Sequence, residues 1–207
     1  MNIEVDSLIG EHVELRALQA EHVTGLYEAG KYPEIWTYMA PPAGKIEEFA
    51  DMARLVKEAI AKRREHHEWP FVIIDRGSPI TGAEGQASGD IIGSTRYLDM
   101  STAHKAVEIG WTWLTPSVWR TKINTECKYL LLRHAFETAG AIRVQLKTDS
   151  RNLRSQAAIE RIGGVNEGVL RHHRIMPDGY LRDSVYYSIL DEEWPVVKVR
   201  LEEMLSR

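Results

Sequence analysis

Val107-Glu108-Ile109-Gly110-Trp111-Thr112-Trp113-Leu114, a short loop through Trp119-Arg120-Thr121-Lys122-Ile123-Asn124, and Thr125-Glu126 opening an apolar-striped segment form the stretch on which the fold turns. The first eight residues are rich in β-branched and aromatic side chains, which suit a pleated, half-buried surface, and Pro116 ends them as a strand. From Thr125 to Ala139 the apolar residues take helical spacing, and Gly140 supplies the stop. A strand that runs into a helix N-terminus offers unpaired backbone N–H groups and the positive end of a helix dipole, so the junction predicts an anion site suited to phosphates.

Upstream of this stretch, Val13 to Leu18 alternates as a strand. Ala20 to Gly30 and Ile46 to Arg64 have helical spacing, the second with Ile46, Phe49, Met52, Ala53, Val56 and Ile60 on one face. Strand-like Phe71 to Ile74 and Ile91 to Leu98 flank the Gly-, Ser- and Pro-rich Arg76 to Gly89, which reads as the long loop of a hairpin rather than a domain boundary. Downstream come a strand over Ile142 to Thr148 and a helix from Asn152 to Ile162 closed by Gly163 and Gly164. Two strands follow, Val165 to Met176 and Leu181 to Leu190, joined by the turn Pro177-Asp178-Gly179, and a polar helix over Glu192 to Ser206 closes the chain. The order predicts an α/β (α+β) fold, a central mixed sheet of about seven strands flanked by helices, with residues 1–207 as one domain.

The composition agrees with that class and excludes others. At 207 residues, 43% apolar and 27% charged, the chain buries enough surface to need neither metal nor disulfide for its core. The lone Cys127 permits no internal disulfide and suits a reducing compartment. No run reaches a membrane-spanning length and the N-terminal segment is acidic, so no membrane association and a cytoplasmic location are expected. A net charge of −4 without a basic block speaks against nucleic acid as partner.

The central stretch, taken with two further blocks, resembles the GNAT acyl-CoA-dependent N-acetyltransferases. Asp149-Ser150-Arg151-Asn152-Leu153-Arg154-Ser155 followed by Ile159-Glu160-Arg161-Ile162-Gly163 is similar to the Asn-x-x-Ser helix of the branch that contains the ribosomal-protein N-terminal acetyltransferases. Leu8-Ile9-Gly10-Glu11-His12-Val13-Glu14-Leu15-Arg16 and Tyr187-Ser188-Ile189-Leu190 before Glu193-Trp194 are similar to the same branch. The family's pyrophosphate loop reads Arg/Gln-x-x-Gly-x-Gly/Ala, whereas Trp119 to Asn124 contains no glycine. Backbone N–H groups do the work of such a loop, and a side chain is penalised, by roughly 1–2 kcal/mol, only where positive φ is required. Asn124 tolerates that conformation, and Arg120 and Lys122 either add charge beside the phosphates or stand as solvated loop charges.

The resemblance implies transfer of an acetyl group from acetyl-CoA to a primary amine by direct attack. The branch implies a protein N-terminal α-amine, of ribosomal-protein type, as acceptor; polyamines, amino acids or aminoglycosides, or non-catalytic acyl-CoA binding, are the alternatives. Trp113, Leu114, Trp119, Arg120, Thr121, Lys122, Ile123, Asn124, Thr125, Asn152 and Ser155 are then the residues at acetyl-CoA, with Trp113 and Leu114 also offering N–H groups to the oxyanion. Glu108 is the general base or else a structural carboxylate paired with an arginine. Many relatives protonate the thiolate with a tyrosine where this chain has Ile159, which leaves Ser155 as the catalytic partner of the sulfur, unless Asn152 and Ser155 simply cap their helix. Neutralising a lysine-type amine at pH 7 takes roughly 4.6 kcal/mol but an α-amine only about 1 kcal/mol, so an N-terminus needs little base.

Trp36, Tyr38 and Trp69 are assigned to the acceptor wall, with core positions the alternative, and one of His172 or His173, taken as His172, is assigned to face the acceptor cleft, with an ordinary surface or core histidine the alternative. Neither histidine pair chelates a metal: His172 and His173 point to opposite faces of a strand, and His66-His67 lacks helical i, i+4 spacing, so no metal is expected. Cys127 reads as a buried small hydrophobe. A homodimer is compatible with the exposed final strands and common among similar proteins.

Overall fold

The computed structural model describes residues 1–39, 45–77 and 89–207. The strands are β1 Ser7–Ile9, β2 Val13–Ala17, β3 Glu68–Asp75, β4 Ile91–Ser101, β5 Ala106–Leu114, β6 Arg143–Asp149, β7 Val165–Ile175 and β8 Leu181–Leu190. They form one sheet in the order β1-β2-β3-β4-β5-β6-β8-β7, antiparallel throughout except for the parallel junction of β5 with β6. The strand beyond the seven expected is β1, whose three residues are too few to display an alternation. Of the expected loop from Arg76 to Gly89, residues 78–88 lie outside the described residues.

The helices are α1 Val23–Gly30, α2 Pro33–Trp36, α3 Phe49–Arg64, α4 Ile123–Arg133, α5 Leu153–Arg161 and α6 Trp194–Ser206, with α4 running on through a π turn at His134–Thr138. Strand alternation sends Phe71 and Ile73 to one face of the sheet and Val72 and Ile74 to the other, so both faces need cover. On one face α3 lays down Met52, Leu55, Val56 and Ala59, a stripe at helical spacing, beside Leu26 and Ala29 of α1. Phe49, expected on that stripe, is the first residue of α3 and stays 44% exposed, with its ring edge on Tyr27. On the other face α4 buries Cys127, Leu130 and Leu131 against Leu15, Phe71, Tyr97 and Ile109. The closing helix α6 is less polar than its sequence suggests. Trp194, Val197 and Leu201 lie buried along one side, each worth roughly 1.5–3 kcal/mol.

A carboxylate ties α4 to the sheet edge. Glu126 accepts the backbone N–H groups of Glu11, His12 and Val13, each at 2.8 Å, in the turn that leads into β2. Gly10 permits that approach, because a Cβ there would stand 2.5 Å from the Glu126 carboxyl carbon.

The feature that makes room for a site lies in β5. Arg96 pairs with Gly110 and Ser94 with Trp113, so Trp111 and Thr112 together oppose Thr95, and Trp111 takes a φ of +52°. This bulge bends β5. Its pairing with β6 lasts only from Ala106 opposite Arg143 to Glu108 opposite Gln145, while β6 stays paired with β8 as far as Asp149. Beyond Glu108 the two strands separate and leave a wedge in the middle of the sheet. Among the described residues no helix is long and apolar enough to cross a membrane.

Candidate active site

A cavity of about 1020 Å³ fills the wedge. Trp113 and Leu114 of β5 form one wall, and Asn124 of α4 with Asn152 and Ser155 of α5 form another. At its mouth Trp119 donates from Nε1 to the Leu114 carbonyl at 2.8 Å, and the Arg154 guanidinium lies 3.9 Å from the indole centroid. Arg120 and Thr121 complete this end. Here the first turn of α4, which like every helix start has N–H groups without intrahelical acceptors, meets two arginines, a donor set that fits a pyrophosphate.

The glycine-less loop reaches this geometry in its own way. Lys122, at the position where the resembling family has its first glycine, takes φ −67° and ψ −17°, which suit any residue. The positive φ falls on Arg120, at +65°, with a cost of roughly 1–2 kcal/mol. Three expected cofactor residues turn their side chains elsewhere. Lys122 donates to the carbonyl of Leu205 at 2.7 Å and so serves the C-terminal end of α6. Ile123 is buried in the core, and the Thr125 hydroxyl accepts from Arg161 at 3.1 Å. Only their main chain remains for an anion. Asn152 has both anticipated properties: it stands on the cavity wall, and its Oδ1 caps α5 by accepting the Ser155 N–H at 3.0 Å.

Glu108 sits where the wedge begins, 2% exposed. Its Oε2 accepts from Lys147 Nζ at 2.7 Å and Gln145 Nε2 at 2.8 Å. Oε1 takes neither bond, and the carboxylate lines the cavity. Burial raises its pKa, while Lys147 and Gln145 hold it back. The partner anticipated for a structural Glu108 was an arginine; the structure supplies a lysine two residues beyond the β6 position that pairs with Glu108.

On the other side of Glu108 the cavity meets Tyr38, Asp99, His173, Arg174 and Arg182. Two of the expected acceptor aromatics do not reach it. Trp36 donates to the Gly30 carbonyl at 2.7 Å and packs on Trp113, and Trp69 donates to the Val5 carbonyl at 2.8 Å beneath Arg63. His172 is exposed, at φ +51°, with its N–H on Asp183 at 2.7 Å. His173 faces the cavity instead: between Leu170 and Arg174 three residues of β7 oppose Asp183 alone, and the positive φ of His172 breaks the strand alternation there. Its Nδ1 meets Ser184 Oγ at 2.9 Å and its Nε2 the Tyr186 hydroxyl at 3.3 Å. Burial, then Arg174, Lys147 and Arg182, lowers its pKa.

Two buried groups complete the picture. Cys127 lies in the core with its thiol pushed up to about 12 by burial, so it offers no thiolate. Lys128, which sequence reasoning missed, lines the cavity one helical turn after Asn124, and that i, i+4 relation to an expected site residue was the available signal. Lys147 and Arg182 gave no comparable sign, since only strand register brings them to Glu108, and of the histidine pair, one of which was expected at the cleft, the structure turns in His173. Among the described residues no group of three or more His, Cys, Asp or Glu is placed to hold a metal ion.

A bulged strand, a wedge in a mixed sheet, a cationic helix start at one end and a buried carboxylate at its vertex make up a candidate site of a shape and charge that suit an acyl-CoA-dependent acyltransferase. Residues 12–165 match the family described as the acetyltransferase (GNAT) domain. The chain belongs to the GNAT family of acetyl-CoA-dependent N-acetyltransferases. Over 106 residues it is 31% identical to a Bacillus subtilis (strain 168) protein that carries the provisional name ribosomal N-acetyltransferase YdaF; the match covers 51% of this chain and 57% of that one. A crystal structure of an acetyltransferase-like protein from T. thermophilus superposes with a TM-score of 0.82 at 35% identity, covering 99% of this chain and 100% of that one. Mycobacterium smegmatis RimJ, solved in complex with CoA-disulfide, shares the fold at a TM-score of 0.77 and 20% identity, covering 93% and 88% of the two chains.

Proposed function

We propose that this chain, as one domain over residues 1–207, acetylates the α-amine of a protein N-terminus, of ribosomal-protein type, in the cytoplasm. The observation that carries the reading is the wedge beside Glu108, lined at its far end by Arg120 and Arg154. Acetyl-CoA, when bound, supplies the activated acetyl group. Arg120, Arg154 and the α4 N–H groups hold its pyrophosphate, while Asn152 and the β5 edge at Trp113 and Leu114 bond the pantetheine arm. Glu108 accepts the amine proton at Oε1, either directly or through water, and burial makes it a stronger base than a free glutamate. Lys147 keeps the carboxylate ionised while it waits. As the amine nitrogen bonds to the acetyl carbon and the C–S bond breaks, Ser155, on the cavity wall, hydrogen-bonds the leaving sulfur and relays to it a proton taken up from water, so that its own hydroxyl is restored. The acceptor enters between Tyr38 and His173, and the name of the YdaF relative, a ribosomal N-acetyltransferase, supports a ribosomal protein as its source.

Calorimetry and a thiol-release assay test this. Acetyl-CoA should bind wild type with micromolar affinity. Glu108→Gln should bind it equally, lose about a hundredfold in kcat, and lose the rise of kcat/KM with pH that ionisation of Glu108 produces. No binding at millimolar acetyl-CoA would end the transferase reading. A second reading, a non-catalytic acyl-CoA binder, draws on Ile159 standing where many relatives have the acid tyrosine; binding without turnover on any amine would select it.

A further inference from the structure

The acceptor end of the cavity carries positive charge that its own carboxylates do not answer. Arg174 on β7 and Arg182 on β8 are direct cross-strand partners and both line the cavity, although like charges opposite one another on a sheet repel. Arg182 is only 8% exposed. One of its nitrogens, Nη1, donates to the Tyr38 carbonyl at 3.3 Å, and its Nε has no hydrogen-bond partner. The carboxylate nearest to it, Asp149, stands 4.0 Å away and is already held by two nitrogens of Arg151, at 3.0 and 2.8 Å. The other cations at this end are accounted for: Lys147 is bound to Glu108, and His173 is kept neutral by burial and by its positive neighbours.

Arg96 provides the internal comparison. It too is buried with an unpartnered Nε, but its Nη1 lies 2.6 Å from Glu68 and its guanidinium sits over the Trp111 ring. Its charge is neutralised within the fold. Arg182 has only the more distant Asp149, 4.0 Å from its Nε and shared with Arg151, and a guanidinium does not escape the cost by losing its proton. What satisfies a buried, fork-shaped donor facing a cavity is a planar anion such as a carboxylate. The cofactor's phosphates have Arg120 and Arg154 at the opposite end, whereas Arg182 bonds the Tyr38 segment, on the acceptor side of Glu108.

We propose that Arg182, seconded by Arg174, binds a carboxylate carried by the acceptor, so that the preferred acceptors are peptide N-termini with aspartate or glutamate among their first residues. This rests on the transferase reading above. The test is calorimetric titration of the CoA-saturated protein with two tetrapeptide amides, Ser-Asp-Asp-Gly and Ser-Asn-Asn-Gly, which differ only in their side-chain carboxylates. Wild type should bind the acidic peptide at least tenfold more tightly. Arg182→Met should abolish that preference, with affinity for the neutral peptide and for CoA each within twofold of wild type. Arg182→Lys, which keeps charge and loses the fork, should fall between. Equal binding of the two peptides by wild type, or a preference that survives in Arg182→Met, overturns the proposal. So does weakened CoA binding in that variant, which would give the guanidinium to the cofactor. Failure of both peptides to bind while CoA binds overturns the proposal and leaves the transferase reading standing; failure of CoA itself to bind overturns both.

Discussion

Replacing Lys128 by methionine removes a cation that has no carboxylate partner among the described residues. Its Nζ donates to Thr112 Oγ1 at 2.6 Å, the residue is 6% exposed, and burial lowers its pKa from 10.5 to about 8. Each pKa unit corresponds to about 1.36 kcal/mol, so keeping the amine protonated at pH 7 destabilises the folded state by about 3 kcal/mol. Methionine has a similar length and no charge, and Thr112 Oγ1 retains the Thr95 hydroxyl at 2.8 Å as a partner. Lys128→Met should therefore be more stable than wild type at pH 7 by about 2 kcal/mol, a rise in Tm of roughly 4–8 °C for a domain of this size. The pH dependence is the sharper readout. Between pH 8 and 10.5 the unfolded state binds more protons at this residue than the folded state, so wild-type stability gains with rising pH from this group, and the variant does not. From pH 7 to pH 9.5 the difference between the two proteins should shrink by about 2 kcal/mol. Urea unfolding followed by circular dichroism at both pH values measures it. A variant less stable than wild type at pH 7, or a difference that does not change with pH, would refute the reasoning.

Glu126→Ala should be the opposite case. It strips the acceptor from three N–H groups at 2.8 Å, a loss of about 3–5 kcal/mol that lowers Tm by roughly 10 °C; a fall under 3 °C would show that the turn finds other acceptors. Arg120→Gly relieves the positive φ but loosens the unfolded chain, so unfolding free energy should move by less than about 1 kcal/mol. In the same variant the calorimetric Kd for CoA should rise about tenfold, and unchanged affinity would remove Arg120 from the phosphate site.

Much of the architecture was legible in the chain because its signals are local. The alternation in Val13–Ala17, the helical stripe of α3, the glycine pair after α5 and the Pro-Asp-Gly turn between β7 and β8 each depend on neighbours a few residues apart. The candidate site was legible where it coincides with such signals, as at Glu108 on its strand or Asn152 capping its helix. It was not legible where contacts between distant segments decide. Trp36 and Trp69 carry aromatic rings that suit a binding wall or a core equally, and carbonyl partners at Gly30 and Val5 drew both inward.

What the sequence by itself determined is therefore the seven longer strands and every helix but the four-residue α2, their order, and the strand-to-helix junction that suits an anion. The tertiary structure decided the rest. A bulge at Trp111 parts β5 from β6, an irregular pairing of β7 at His172 turns His173 to the cavity, and strand pairing brings Lys147 to Glu108. The physical reason is the period of two in a β-strand. The one extra residue at Trp111 exchanges the faces beyond it, while Arg171, His172 and His173 together oppose Asp183 and the positive φ of His172 breaks the alternation there; both irregularities are set across strands, by partners far away in the chain.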